Sequence, residues 1–164
     1  MRRRLFAQVL LSCPFASVSK EAPKAVFSPL SNGMRAQLTQ QRAFVSSLLA
    51  KRFPGEKLSG TKSDLQLLQQ ALDAKLLPKT ATWELQALGV VFGDVLVSTV
   101  PGLSWWQVED EYGTDPTVRY RETSVQINVM TALSKRVEGG EAVNVEQLAA
   151  KITEFVLKQA DMYR

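Results

Sequence analysis

The chain has no histidine and one cysteine among its 164 residues. Without histidine it lacks the usual general base at neutral pH, the Ser-His and Cys-His nucleophile pairs, and the imidazole ligands of most zinc sites. Cys13 alone makes neither an intrachain disulfide nor a thiolate cluster. Long apolar runs are missing as well, and none reaches the roughly 20 residues that a membrane-spanning helix needs. Excess charge is small: the formal net is +4, and Arg2, Arg3 and Arg4 stand together at the start. Nucleic-acid-binding domains carry a basic stripe on the folded part. Residues 26–164 show none, so nucleic acid is not an expected partner. No metal or cofactor is expected either.

What remains is ordinary globular composition, 45% hydrophobic and 22% charged, in a chain sized for one domain. Residues 1–25 stand apart. Arg2-Arg3-Arg4 is followed by the short apolar run Leu5–Ala16, which has the ingredients of an export signal, and Leu10-Leu-Ser-Cys13 resembles a lipoprotein box. Gln8 and Pro14 interrupt the run. The segment reads as a flexible extension on a cytoplasmic protein, with export or envelope anchoring through residues 1–22 as the alternative.

Residues 26–164 read as a single α+β domain. A helix capped by Asn32 carries Met34, Leu38, Val45, Leu48, Leu49 and Phe53 at helical spacing and stops at Pro54-Gly55; its Arg35, Gln37, Gln41 and Lys51 are free to face water. A second helix carries Leu65, Leu68, Leu72 and Leu76, with Thr61 or Ser63 to cap it and Asp64 suited to its positive N-terminal end. The third, about Thr80 to Val100, is apolar nearly all round and is expected at the centre. Three antiparallel strands follow, at about 104–112, 118–121 and 124–129. A short helix over 130–138 ends at Gly139-Gly140, and Asn144 caps the last helix. Helices packed on a small sheet are the expected architecture.

The densest segment is Trp105-Trp106-Gln-Val-Glu-Asp-Glu-Tyr112-Gly113. A connection at 113–117 would pair Tyr112 with Val118 and Asp110 with Tyr120. Trp105, Glu109 and Glu111 then face outward, with the acids opposite Arg119 and Arg121, and these five residues form the candidate binding surface. Asp110 falls on the apolar face, and Asp94 sits in the apolar third helix. A buried carboxylate needs a partner, and Lys135, Arg136 and Tyr120 are the candidates, with Asp94, Asp110, Lys135 and Arg136 as a candidate structural cluster. Replacing Asp110 by Asn is then expected to destabilise the fold.

The segment Glu84-Leu-Gln-Ala-Leu-Gly-Val-Val-Phe-Gly-Asp94, the strand Val108-Glu-Asp-Glu-Tyr-Gly113 and the segment Ser134-Lys-Arg-Val-Glu138 together resemble a family of bacterial domains of unknown function. The likeness covers roughly residues 26–155. It implies a compact helical and antiparallel-sheet domain and carries no activity with it.

Two functions fit. The first is a non-enzymatic interaction or regulatory module that binds a protein partner through the strand surface. The second is a small carboxylate-based enzyme or a ligand- or metal-binding domain using Asp94, Glu109 and Asp110, with Asp94 and Asp110 as its catalytic pair.

Overall fold

The structure, a computed structural model, describes residues 25–161. The export-like segment, Cys13 and Met162 lie outside them. In chain order the elements are β1 (Val26–Ser28), α1 (Asn32–Arg52), α2 (Ser63–Asp73), α3 (Thr82–Thr99), β2 (Leu103–Asp110), β3 (Gly113–Tyr120), β4 (Gln126–Ile127), α4 (Met130–Glu138) and α5 (Val145–Asp161). This is the expected α+β class, with five helices among the described residues. The antiparallel sheet has four strands rather than three, in the order β1-β2-β3-β4.

Helix α3 forms because thirteen residues from Leu85 are almost all apolar and no proline interrupts them, and Pro101-Gly102 ends it. Its buried residues point in every direction, including Leu85, Leu88, Val91, Phe92, Val95 and Leu96. It touches α1, α2, α4, α5 and β2, as its all-round apolarity requires. The flanking helices bury single stripes: Leu38, Gln41, Val45 and Leu49 on α1, and Leu65, Leu68 and Ala71 on α2. Ser31, rather than Asn32, caps α1 by accepting from the Met34 amide at 3.3 Å. Asn144 caps α5 as expected, accepting from the Gln147 amide at 2.8 Å.

The hairpin register differs from the expected one. Leu103 pairs with Tyr120, Trp105 with Val118, and Asp110 with Gly113. The connection is the pair Glu111-Tyr112, and residues 113–117 are strand. Asp115-Pro116 resembles a turn by composition, but Pro116 lies in the half of β3 that β4 does not reach. There its missing N–H can face an open edge instead of breaking a ladder. The turn forms instead where Asp110 accepts from the Tyr112 amide at 2.8 Å and Gly113 takes φ +129. Strand β1, which no periodicity announces in three residues, pairs Phe27 with Val108.

Side chains alternate across a strand, so the new register reverses the faces of β2 and leaves those of β3 as expected. Leu103, Trp105, Val118 and Tyr120 now look toward the helices, and Ser104, Trp106, Thr117 and Arg119 look the other way.

Candidate functional site

The most concentrated polar arrangement joins three elements. Arg42 stands beside the buried stripe of α1, Asp94 follows Gly93 on α3, and Trp105 faces inward from β2. The guanidinium grips the carboxylate with both ends of its fork, Nε to Oδ2 and Nη2 to Oδ1, each at 2.7 Å. Trp105 donates from Nε1 to Oδ1 of the same carboxylate at 2.9 Å, and the guanidinium lies 5.9 Å from the Trp105 ring centre. Planar, bidentate pairing is the strong form of this bond. The bonds to Asp94 hold the Arg42 guanidinium above its ordinary range, while burial works against them.

Two glycines make the arrangement possible. A Cβ at position 93 would stand 2.7 Å from both the Trp105 ring and the Val129 side chain. One at position 89 would stand 2.5 Å from the Val129 carbonyl oxygen and 2.7 Å from that of Met130. Gly93 therefore admits the tryptophan and Gly89 admits the start of α4. The Gly89-x-x-x-Gly93-Asp94 segment serves two close approaches and one anchoring acid.

A small cavity of about 280 Å³ adjoins this node, lined by Arg42, Asp94, Asp64, Gly60 and Val91 among others. Asp64 is buried at the start of α2. Its carboxylate accepts from the Ser59 amide and hydroxyl and from the Gly60 amide, all within 3.1 Å. Both acids beside the cavity are thus occupied by donors of the chain itself.

The expected partners of Asp94 are not its partners. Arg136 donates to the Ala132 carbonyl of its own helix at 2.6 Å, Lys135 is exposed, and Arg42 takes the place assigned to them. Asp110 serves its own turn and joins no cluster. Nor do Asp94, Glu109 and Asp110 converge. Glu109 and Asp110 are neighbours on opposite faces of β2, and Asp110 lies five residues, roughly 16 Å of strand, beyond Trp105. Among the described residues no three acid, cysteine or histidine side chains form a group that could hold a metal ion.

The expected binding surface is likewise divided. Trp105 faces the helices. Arg119 donates to the Thr123 and Glu122 carbonyls at 2.6 and 2.8 Å and lies between the rings of Phe27 and Trp106, 4.2 and 4.8 Å from their centres. Arg121 follows β3 with φ 49, against the Tyr120 ring. The charge ladder between strands is therefore absent, since Glu109 pairs with Thr114 and Glu111 is in the turn. Glu109 and Glu111 stay exposed at the hairpin end. Beside them Tyr112 is 87% exposed, a position that the expected register had turned inward.

Sequence reasoning missed Arg42 and Asp64 as members of the node, and placed Gln41 in water although it is fully buried. The available signal was positional. Gln41 falls on the stripe Leu38, Val45, Leu49, and Arg42 falls one residue beside it.

Comparison with known proteins follows the same outline. The model of one family, a domain of unknown function (DUF3806), matches residues 64–148. A search of curated proteins finds no match. A crystal structure from Bacteroides thetaiotaomicron VPI-5482, determined at 1.50 Å, is similar with a TM-score of 0.71 at 20% identity. The likeness covers 80% of this chain and 48% of that one, so the present chain spans about half the length of the protein it resembles. At that identity the likeness concerns the fold.

Proposed function

The chain belongs to the DUF3806 family of domains of unknown function, and we propose that it acts as a non-enzymatic docking module, presenting its β2–β3 hairpin tip to a basic surface on a partner protein. One observation carries the reading: Tyr112 is 87% exposed on a turn that the Asp110 bond and the Gly113 backbone hold in shape. Tyrosine offers large contact area at low entropic cost and is enriched in interface hot spots. The tip is acidic. Glu109, Glu111 and Asp115 are exposed around the tyrosine, and no lysine or arginine occurs between Ser104 and Val118. Complementary charge speeds encounter and selects the partner. The proposal keeps Glu109 and Glu111 from the expected surface and puts Tyr112 in the place of Trp105. Asp94 and Asp64, the acids beside the small cavity, already accept bonds from donors of the chain itself, which favours the docking reading over the enzymatic one. Among the described residues no helix is long and apolar enough to cross a membrane.

The test is capture from native lysate with wild type, Tyr112→Ala and Glu111→Lys, each checked by thermal melting. The turn bond uses the Tyr112 backbone amide, which both variants keep, so both should melt within about 0.5 kcal/mol of wild type. Both should lose a partner that wild type retains, and added salt should weaken that partner's binding. A partner held equally by all three proteins would refute the assignment of this surface.

A further inference from the structure

A cavity of about 590 Å³ opens between the α2–α3 connection and the α4–α5 connection. It uses none of the hairpin residues and stands independently of the docking role. Its volume falls within the range of about 300–1,000 Å³ common to small-molecule sites. The floor is aliphatic, formed by Leu72, Leu85, Leu88 and Val143. Lys75 and Lys79 stand at the rim, both from the α2–α3 connection. Lys75 takes φ 49, a left-handed conformation uncommon for a residue other than glycine. The Lys79 ammonium lies over Gly140, where a Cβ would come within 2.8 Å of Nζ. Neither ammonium has a hydrogen bond or ion pair among the described residues. Of the two acids at the rim, Asp73 is engaged by Gln69 Nε2 at 2.8 Å, and Glu141 stands on the opposite wall.

The kind of anion follows from what the rim offers. Phosphate sites that use lysine commonly add free backbone amides or arginine forks to it. Here the Gly139, Gly140 and Glu141 amides are bonded to the Lys135, Val137 and Arg136 carbonyls, and no arginine lines the cavity. Two lysine point charges above a hydrocarbon floor suit a single carboxylate on an apolar body. We propose that this cavity binds an apolar monocarboxylate, its alkyl chain on the leucine floor and its carboxylate between Lys75 and Lys79.

Calorimetry with decanoate and with decanol, both below their aggregation concentrations, tests the assignment on wild type, Lys79→Ala and Glu141→Gln. Decanoate should bind wild type about ten-fold more tightly than decanol, the worth of one charge-assisted contact. Lys79→Ala should reduce that advantage several-fold and leave decanol unchanged, and Glu141→Gln should tighten decanoate alone. In amide NMR spectra decanoate should shift Leu72 and Val143. Absence of decanoate binding, equal affinity of wild type for the two ligands, or shifts centred on the groove of Leu65, Leu96 and Leu157 beside α5 would each overturn the proposal.

Discussion

At residue scale, the two aspartates that the sequence sets apart do different work. Asp94 is bound by Arg42 and Trp105, and Asn in its place removes the charge that Arg42 needs. The two side chains are 37% and 25% exposed, so water screens part of the attraction, and Asp94→Asn should cost about 1–2 kcal/mol. Asp110 accepts one turn amide, which an asparagine oxygen accepts as well, so Asp110→Asn should cost less than about 0.5 kcal/mol. Urea unfolding of both variants checks the order, and a larger loss for Asp110→Asn would restore the clustered arrangement. The pH dependence follows from the sign of the Arg42 shift. A raised pKa contributes stability that is complete below the ordinary arginine range and is lost only as pH rises through the raised value. No pH-dependent loss from Arg42 is therefore expected between pH 5 and 9. Gln41 is the opposite case. Its amide is fully buried with no hydrogen-bond partner for either end among the described residues. Gln41→Met keeps the length and removes the unsatisfied groups, and should raise stability by about 1 kcal/mol. A lower melting temperature would show that the amide has a bonding role.

At the scale of elements, the helices were legible because each carries its own signal: an apolar stripe, a cap and a stop within some twenty residues. The sheet was legible in class but not in register. Asp115-Pro116 and Asp110–Gly113 are both credible turns, and the choice depends on whether β4 covers Pro116, which local composition does not contain. The short turn reverses the faces of β2 while β3 keeps its own, sending Trp105 inward to Asp94 and Tyr112 out to the tip. The candidate site was legible by half for a related reason. Asp94 announces itself as an acid in an apolar helix, but its partner Arg42 is 52 residues away on a helix edge where an arginine is unremarked. The close fit of α3 to the sheet makes its own prediction. Gly93→Ala drives a methyl into the Trp105 ring and the Val129 side chain and should cost about 3 kcal/mol. Trp105→Leu should also destabilise, by removing the Asp94 bond and ring packing. If the two sites touch as described, the double variant should lose clearly less than the sum of the two single losses. Strict additivity in chemical denaturation would mean that the alanine is accommodated elsewhere.

At the scale of the molecule, the family match and the folding unit do not coincide. The match spans residues 64–148, which leaves out α1 and nearly all of α5. Yet α1 contributes Leu38, Val45 and Leu49 to the core and supplies Arg42 to Asp94, while α5 contributes Val156. At roughly 1.5–3 kcal/mol for each buried aliphatic side chain, those four represent about 6–12 kcal/mol. A whole domain is stable by only about 5–15 kcal/mol. Removing α1 would also expose the side of α3 that it covers and leave Asp94 without its guanidinium. Residues 25–161 should therefore unfold in one cooperative transition, with tryptophan fluorescence and far-UV circular dichroism coinciding. Residues 64–148 alone should keep helical signal, bind a hydrophobic dye and melt without a sharp midpoint. A cooperative melt of the shorter piece would show that α3, its neighbours and the hairpin hold together by themselves. In that case α1 and its arginine would be an addition to the fold and not a condition of it.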